Sequence, residues 1–366
     1  MTLSPAGIEA IPGLLAAFVV ATALSLVLVP WAIRLAGPLG LVDRPDAPRR
    51  IHTRPVARSG GIAVVASFLA VSIGAIALGG LPGVPDPILG GGLLTLLAGS
   101  FVAVLLGVAD DRWDLRARWQ LLGQVALAAG AVALGLTIAA VNNPLGPGVI
   151  RFGGTVAAVL TALWIVGMIN SVNFIDGLDG LSSGIGVIAA LTLGVISLTP
   201  TIGQPFVGLL CFALAGALVG FLRFNFHPAR VFLGTGGVMF LGYALAVLSV
   251  YGTAKVAVAL LVLGVPIIDT FWIIVRRLVS GSSPFKPDRG HIHHRLLDLG
   301  LTHRQAVLAI YAICALLGVL ALVLSGTGQL YAFVGVLLAL GLVILVLARR
   351  QISDGTFSAE TYPEEE

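Results

Sequence analysis

An all-α integral membrane protein, a polytopic bundle of about 11 transmembrane helices with its N-terminus outside and its C-terminus cytoplasmic, is the fold class that the sequence predicts. Three observations carry it: 58% of residues are apolar and only 10% charged, the mean hydropathy is +1.04, and apolar stretches of membrane-crossing length alternate with short polar loops. Such a composition excludes a water-soluble domain. In lipid the backbone must satisfy its own hydrogen bonds, and period-2 alternation is absent, so helices are expected rather than strands. Spans are expected near 11–36, 60–80, 90–108, 119–140, 155–173, 181–198, 205–222, 235–251, 254–278, 305–326 and 329–348. The 47 glycines suit close helix contacts within one transmembrane domain over residues 1–350. Residues 351–366, acidic and polar, read as a disordered cytoplasmic tail.

Orientation follows from the basic residues. Of 21 Lys and Arg, all but Arg151 and Lys255 fall on alternate loops, which places those loops in the cytoplasm and makes the number of spans odd. The first span lacks a basic leading region and is long for a signal peptide, so it is expected to remain in the mature chain. The pI near 9.4 reflects loops beside helix ends, and nucleic-acid binding is not expected. Cys211 and Cys314 both lie in apolar spans and read as core residues, without bearing on redox compartment.

Nearly all carboxylates, histidines and asparagines sit on those same cytoplasmic loops. Asp110 and Asp111 end the third span, where ionised groups beside hydrocarbon are costly. Pairing with Arg112 or Arg116 is the plain reading, and adjacent like charges suggest a cation or proton-handling role instead. The fifth span ends in Asn170, Asn173, Asp176 and Asp179, interleaved with Gly177 and Gly180. Spacings of three would set Asn170, Asn173 and Asp176 on one helical face. Helix capping is the structural alternative, while a calcium loop lacks its alternating ligands and terminal Glu.

Between the ninth and tenth spans, Arg289, His291, His293, His294 and Arg295 form a dense donor set. It suits diphosphate oxygens better than zinc, since no Cys accompanies it. Arg49-Arg50-Ile51-His52-Thr53-Arg54-Pro55, followed by Arg58-Ser59-Gly60-Gly61, repeats the basic-plus-His theme after the first span, and its Arg50 and His52 join the substrate-binding candidates.

In this order the four sets resemble the polyprenyl-phosphate N-acetylhexosamine-1-phosphate transferase superfamily, over about residues 11–350. Asp110-Asp111 is similar to its membrane-edge aspartate motif, and Asn170–Leu181 to its Asn-Asp-Gly-Asp-Gly-Leu motif. The His-x-His-His at 291–294 is similar to the bacterial branch that initiates lipid-linked surface polysaccharides or teichoic acids. The resemblance implies transfer of an N-acetylhexosamine 1-phosphate, with GlcNAc-1-phosphate as the default, from a UDP-sugar to a polyprenyl phosphate. UMP leaves, and a lipid-diphosphate sugar remains in the bacterial inner (plasma) membrane. It also implies Mg²⁺, with Mn²⁺ as substitute, and a homodimer.

By motif, Asp110 and Asp111 would be catalytic and metal-binding. Asn173, Asp176 and Asp179 would line the nucleotide side with Asn170 supporting them, and Arg289, His291, His293 and His294 would hold diphosphate or sugar. Asp269, in the ninth span, resembles another family feature and reads first as a buried structural partner. One departure stands out. At Thr235 the family usually carries an Asp that holds Mg²⁺, and a neutral hydroxyl is a poorer ligand for a hard dication. Three readings stay open: an active enzyme relying on Asp110, Asp111 and substrate phosphates, a catalytically impaired relative, or a scaffold reused for lipid binding. A lipid or ion transporter is the rival from another class, since intramembrane carboxylates also mark ion paths. The polar clusters gather at one edge, and no internal repeat is evident.

Overall fold

The computed structural model describes residues 2–43, 55–81, 83–84, 91–143, 148–251, 255–279, 290–324, 328–339 and 341. Arg50, His52, Arg289 and the acidic tail lie outside the described residues. Thirteen helices are found there: α1 (Pro5–Leu39), α2 (Gly60–Ala77), α3 (Gly91–Trp113), α4 (Ala117–Ala133), α5 (Gly154–Ile175), α6 (Leu181–Ser197), α7 (Pro205–Asn225), α8 (Gly234–Val250), α9 (Val256–Val262), α10 (Gly264–Val279), α11 (Ile292–Asp298), α12 (His303–Val323) and α13 (Gly328–Ala339). Six are long and apolar enough to cross a membrane, or seven if α9 and α10, bent by 79° at their junction, form one span. The expected spans at 119–140, 181–198 and 235–251 correspond to helices of 17 residues each, so length alone supports fewer than eleven crossings. Two short antiparallel hairpins, not expected from the sequence, pair β1 (Val42–Asp43) with β2 (Val56–Ala57) and β3 (Ala140–Asn142) with β4 (Val149–Arg151).

Local chemistry sets several helix ends. Ser4 accepts the Gly7 amide at 2.9 Å ahead of Pro5, whose missing N–H costs nothing in a first turn. Helix α1 then runs to Gly40, which closes it in the left-handed region at φ 72°. Thr302 and Gln305 form a capping box that starts α12. Val19, Val27 and Trp31 on α1 and Leu163 on α5 are more than half exposed, as expected for apolar faces solvated by lipid rather than water.

Helix α8 is the axis of the bundle, buried along nearly its whole length and packed by α2, α3 and α5. Small residues allow this. A Cβ on Gly107 of α3 would lie 2.4 Å from the Gly236 Cα, and one on Gly61 of α2 would lie 2.2 Å from the Gly237 Cα. The backbones themselves are in contact at the first turn of α8. The segment before it is stitched to the β2–α2 connection: the Phe232 amide donates to the Ala57 carbonyl at 2.7 Å, Gly60 to Phe232 at 3.1 Å and Gly61 to Leu233 at 2.8 Å. Cys211 and Cys314 are free and buried on separate helices, as read from the sequence. Lys255, expected in an outer loop, is instead fully buried at the start of α9. Its Nζ donates to Ser197 Oγ at 3.2 Å and Gln204 Oε1 at 3.4 Å, which replaces the water it gave up.

Gly107→Val should force α3 away from α8 and cost about 1–3 kcal/mol of stability, the usual range for overpacking. Gly167→Ala, where nothing lies within 4 Å, serves as the neutral control. Thermal unfolding in detergent checks the pair: Gly107→Val is expected to lower the midpoint, and Gly167→Ala to leave it in place.

Candidate active site

A cavity of about 890 Å³ opens where α3 and α5 end and α8 begins, beside the β1–β2 hairpin. Asp111, Asn173, Asp176, Asp179, Thr235 and His294 of the expected set line it. Asp110, Asn170, His291 and His293 do not, and each is held elsewhere for a visible reason.

The two adjacent aspartates have separate environments because consecutive helical residues point about 100° apart. Asp110 turns to the α3–α4 connection, where its Oδ1 accepts the Leu115 amide at 3.1 Å and Gln120 Nε2 at 2.7 Å. It fixes the turn that follows α3, which corrects its expected place beside Asp111 at the centre of the site. Asp111 turns to α8. Its Oδ2 accepts the Gly236 amide at 3.2 Å, while its Oδ1 is buried with no hydrogen-bond partner and lies 3.9 Å from Arg58 Nη1. Arg58 also reaches Asp43 at 3.4 Å, so one guanidinium stands between two carboxylates. Thr235 lies within hydrogen-bonding reach of both Asp110 and Asp111.

Helix α5 ends at Ile175, and Asp176 caps it. Asn170 lies on the helix but points away from the cavity: its Nδ2 donates to Gln124 Oε1 at 2.6 Å and to the Val166 carbonyl at 2.8 Å, tying α5 to α4. The expected three-residue face is therefore reduced to Asn173 and Asp176. Asp176 accepts a short hydrogen bond from Ser182 Oγ. Although part of its surface faces the cavity, desolvation by the surrounding protein pushes its carboxyl up to about 7, with Asp111 and Asp179 adding repulsion against the Ser182 bond and Arg58. Asp179 Oδ2 accepts the Ala229 amide at 3.0 Å and meets His227 Nδ1 at 2.7 Å. Asn225, at the end of α7, is braced by Ser183 Oγ at 2.7 Å and donates to the Val231 carbonyl at 3.0 Å.

The triple-histidine segment forms a stack beside the α5–α6 turn. Buried Asp269 holds it, with Oδ2 at 2.7 Å from His291 Nδ1 and Oδ1 accepting the Ile292 amide at 2.9 Å. His293 lies between His291, at 5.4 Å between ring centroids, and His294, at 4.4 Å. A Cβ on Gly177 would lie 2.2 Å from its Nε2, so the Asn-Asp-Gly-Asp-Gly motif needs a glycine there to seat the ring. Burial, with His294, His291 and His303 close by, pushes the His293 imidazole down to about 2. That shift keeps the ring neutral. Only His294 of the three lines the cavity.

Arg58, read from the sequence as part of the fourth basic set, also lines the cavity, as do Asp43, Asn225, His227 and His303, which the sequence reading missed. Their signal was rarity. The chain has six histidines, and of the five that are described three line this cavity while the other two pack in series against His294. The oxygen donors of Asp111, Asp176 and Asp179, with one buried Asp111 oxygen unpartnered, fit a hard divalent cation better than a soft one. Thr235 adds a weaker neutral oxygen.

The sequence profile of glycosyl transferase family 4 matches residues 93–253, which run from α3 through α8. A probable undecaprenyl-phosphate N-acetylglucosaminyl 1-phosphate transferase of Bacillus subtilis is 36% identical over 316 residues, 84% of each chain. The chain belongs to the polyprenyl-phosphate N-acetylhexosamine-1-phosphate transferase superfamily. Other members include a decaprenyl-phosphate N-acetylglucosaminephosphotransferase of Mycolicibacterium smegmatis, 34% identical over 87% of this chain and 84% of its own. An undecaprenyl-phosphate alpha-N-acetylglucosaminyl 1-phosphate transferase of Yersinia pestis is 30% identical over 86% and 85%. The protein is thus a member of a membrane transferase family, and its cavity is bordered by the family's sequence motifs.

Ionising Asp176 opposes its burial, so its contribution to stability is complete below pH about 4 and lost as pH rises through about 7. Asp176→Asn should therefore gain stability relative to the unsubstituted protein from pH 4 upward and level off above 7. Thermal midpoints of the two ligand-free proteins across that range measure the difference.

Proposed function

We propose that this chain transfers an N-acetylhexosamine 1-phosphate, GlcNAc-1-phosphate first among candidates, from a UDP-sugar to a polyprenyl phosphate. UMP is released, and the product is a polyprenyl-diphosphate sugar that initiates a cell-envelope polysaccharide. The observation that carries this reading is Asp111: one oxygen is fixed by the first turn of α8, and the other is buried without a hydrogen bond, 3.9 Å from Arg58, in a cavity shared with Asp176 and Asp179. The relatives support the reaction class through their names. In this reading the cavity faces the cytoplasm from the bacterial inner membrane, and two copies of the chain form a dimer.

In the reaction, an oxygen of the lipid phosphate forms a bond to the sugar-linked phosphorus. The bond between that phosphorus and UMP breaks, and UMP departs with the electron pair. The sugar's anomeric bond is untouched, so its configuration is retained. Both reactants are anionic, and phosphoryl transfer is catalysed chiefly by positioning and charge neutralisation. Arg58 presents its guanidinium to the phosphates, its position set by Asp43 and Asp111. Asn173 and His294 offer polar contacts to the donor, and Asp179 to the nucleotide side. Mg²⁺, or Mn²⁺ in its place, would be held by Asp111 and Asp176 with substrate oxygens, and it supplies neutralisation of phosphate charge. Asp110 acts as a positioning residue through the α3–α4 turn.

Thr235 favours a second reading, a family member with impaired turnover. Its neutral side chain stands beside Asp110 and Asp111 where relatives of this superfamily usually carry a third carboxylate, and it leaves the site one negative charge short. UMP release from UDP-GlcNAc with a polyprenyl phosphate, with and without Mg²⁺, separates these readings. Asp111→Asn should lower release by about 10²–10³-fold, the usual loss for a key charge-stabilising group. Thr235→Asp should raise Mg²⁺-dependent release. A silent parent chain rescued by Thr235→Asp supports the second reading, and no release from either chain, with any UDP-N-acetylhexosamine, overturns both.

A further inference from the structure

The cavity rim carries a donor cluster of a different chemical kind from the carboxylates at its floor. Asp179, His227 and His303 each offer one ligand atom, and the three atoms lie within 4.8 Å of one another. They come from three separate parts of the chain: the α5–α6 turn, the connection after α7 and the first residue of α12. His227 Nδ1 is 2.7 Å from Asp179 Oδ2, and the His227 and His303 rings stack with centroids 4.1 Å apart. The groups are held in place. Asp179 is fixed by the Ala229 amide at 3.0 Å, and the His227 carbonyl accepts Arg304 Nη2 at 3.0 Å and Nε at 3.2 Å. His303 Nε2 is buried from solvent and has no hydrogen-bond partner. An imidazole nitrogen in that state is an unexplained donor or acceptor in a native site.

We infer that Asp179, His227 and His303 form a binding site for a divalent transition metal of the zinc class, at the rim of the cavity. Two imidazoles and one carboxylate suit zinc, cobalt or nickel and are a poor match for Mg²⁺, which prefers oxygen ligands. Zn–N and Zn–O bonds of about 2.0–2.1 Å place tetrahedral ligand atoms about 3.3 Å apart. The cluster therefore needs to draw in at its widest separation and open slightly at the Asp179–His227 contact. Metal binding displaces the proton shared by that pair, since ligating imidazole is neutral and carboxylate ionised. All three residues line the cavity, so the fourth coordination position opens into it, available to water or a phosphate oxygen. The ion would fasten α12 to the α5–α6 turn and the α7–α8 connection. The inference rests on this donor set and does not need the proposed transfer reaction, although the two share Asp179.

Cobalt(II) is the probe, because tetrahedral Co²⁺ absorbs in the visible where octahedral Co²⁺ is weak. The full chain, purified in detergent and stripped with chelator, should bind one equivalent with visible absorption, and Zn²⁺ should displace it. His227→Asn and His303→Asn should each weaken binding at least tenfold. Asp111→Asn, at the cavity floor, should leave the absorption intact. His303→Cys keeps a ligand at the position and should add a thiolate-to-cobalt charge-transfer band in the near ultraviolet, a signature that loss of folding cannot mimic. Absence of visible absorption in the parent chain, or binding unchanged in both Asn variants with no charge-transfer band in His303→Cys, overturns the site.

Discussion

The contact between the Asp111 carboxylate and the first turn of α8 is the constraint on which the site depends. Helix N-termini present unsatisfied amides and a partial positive charge, so a carboxylate there is stabilised without a counter-ion. Asp111 reaches that turn because Gly107, one turn earlier on α3, lets the two backbones touch at Gly236. Gly61 performs the same service for α2 against Gly237. A small-residue seam thus does two things at once: it packs the central helix and sets the depth of the carboxylate. Arg58 follows from it, carried by the strand that is stitched to the approach of α8.

Thr235 belongs to the same junction. An aspartate at that position would bring a third carboxylate against Asp111, a repulsive arrangement that only a dication relieves. With threonine that additional repulsion is absent.

Much of this was legible in the chain. Apolar length and loop charge marked the helices, and the Asp111, Asp176, Asp179 and His294 positions were visible as polar clusters at span ends. What could not be read was direction. Asp110 and Asp111 are neighbours in sequence and separated by a helical step in space, and only the packing of α3 on α8 decides which one sees the cavity. Asn170 shows the same effect, since its partner Gln124 sits on another helix. His293 was hidden by compactness: three histidines in four residues suggest a basic patch, yet the middle ring is buried between the other two. His227 and His303 lay outside any dense motif, 76 positions apart by their numbers, and meet only because α12 returns to the α7–α8 connection. The short helices α4, α6 and α8 also exceeded what apolar runs can tell, because a turn or cap can sit inside an apolar stretch.

The floor and the rim of the cavity are separated in the order in which a ribosome delivers them. Everything that places Asp111 is present once α8 has emerged, whereas His294 and His303 arrive only after two further helices and the α11 segment. Synthesis therefore completes the enclosure last, since the wall carrying His294 and His303 is the final part of it to be made.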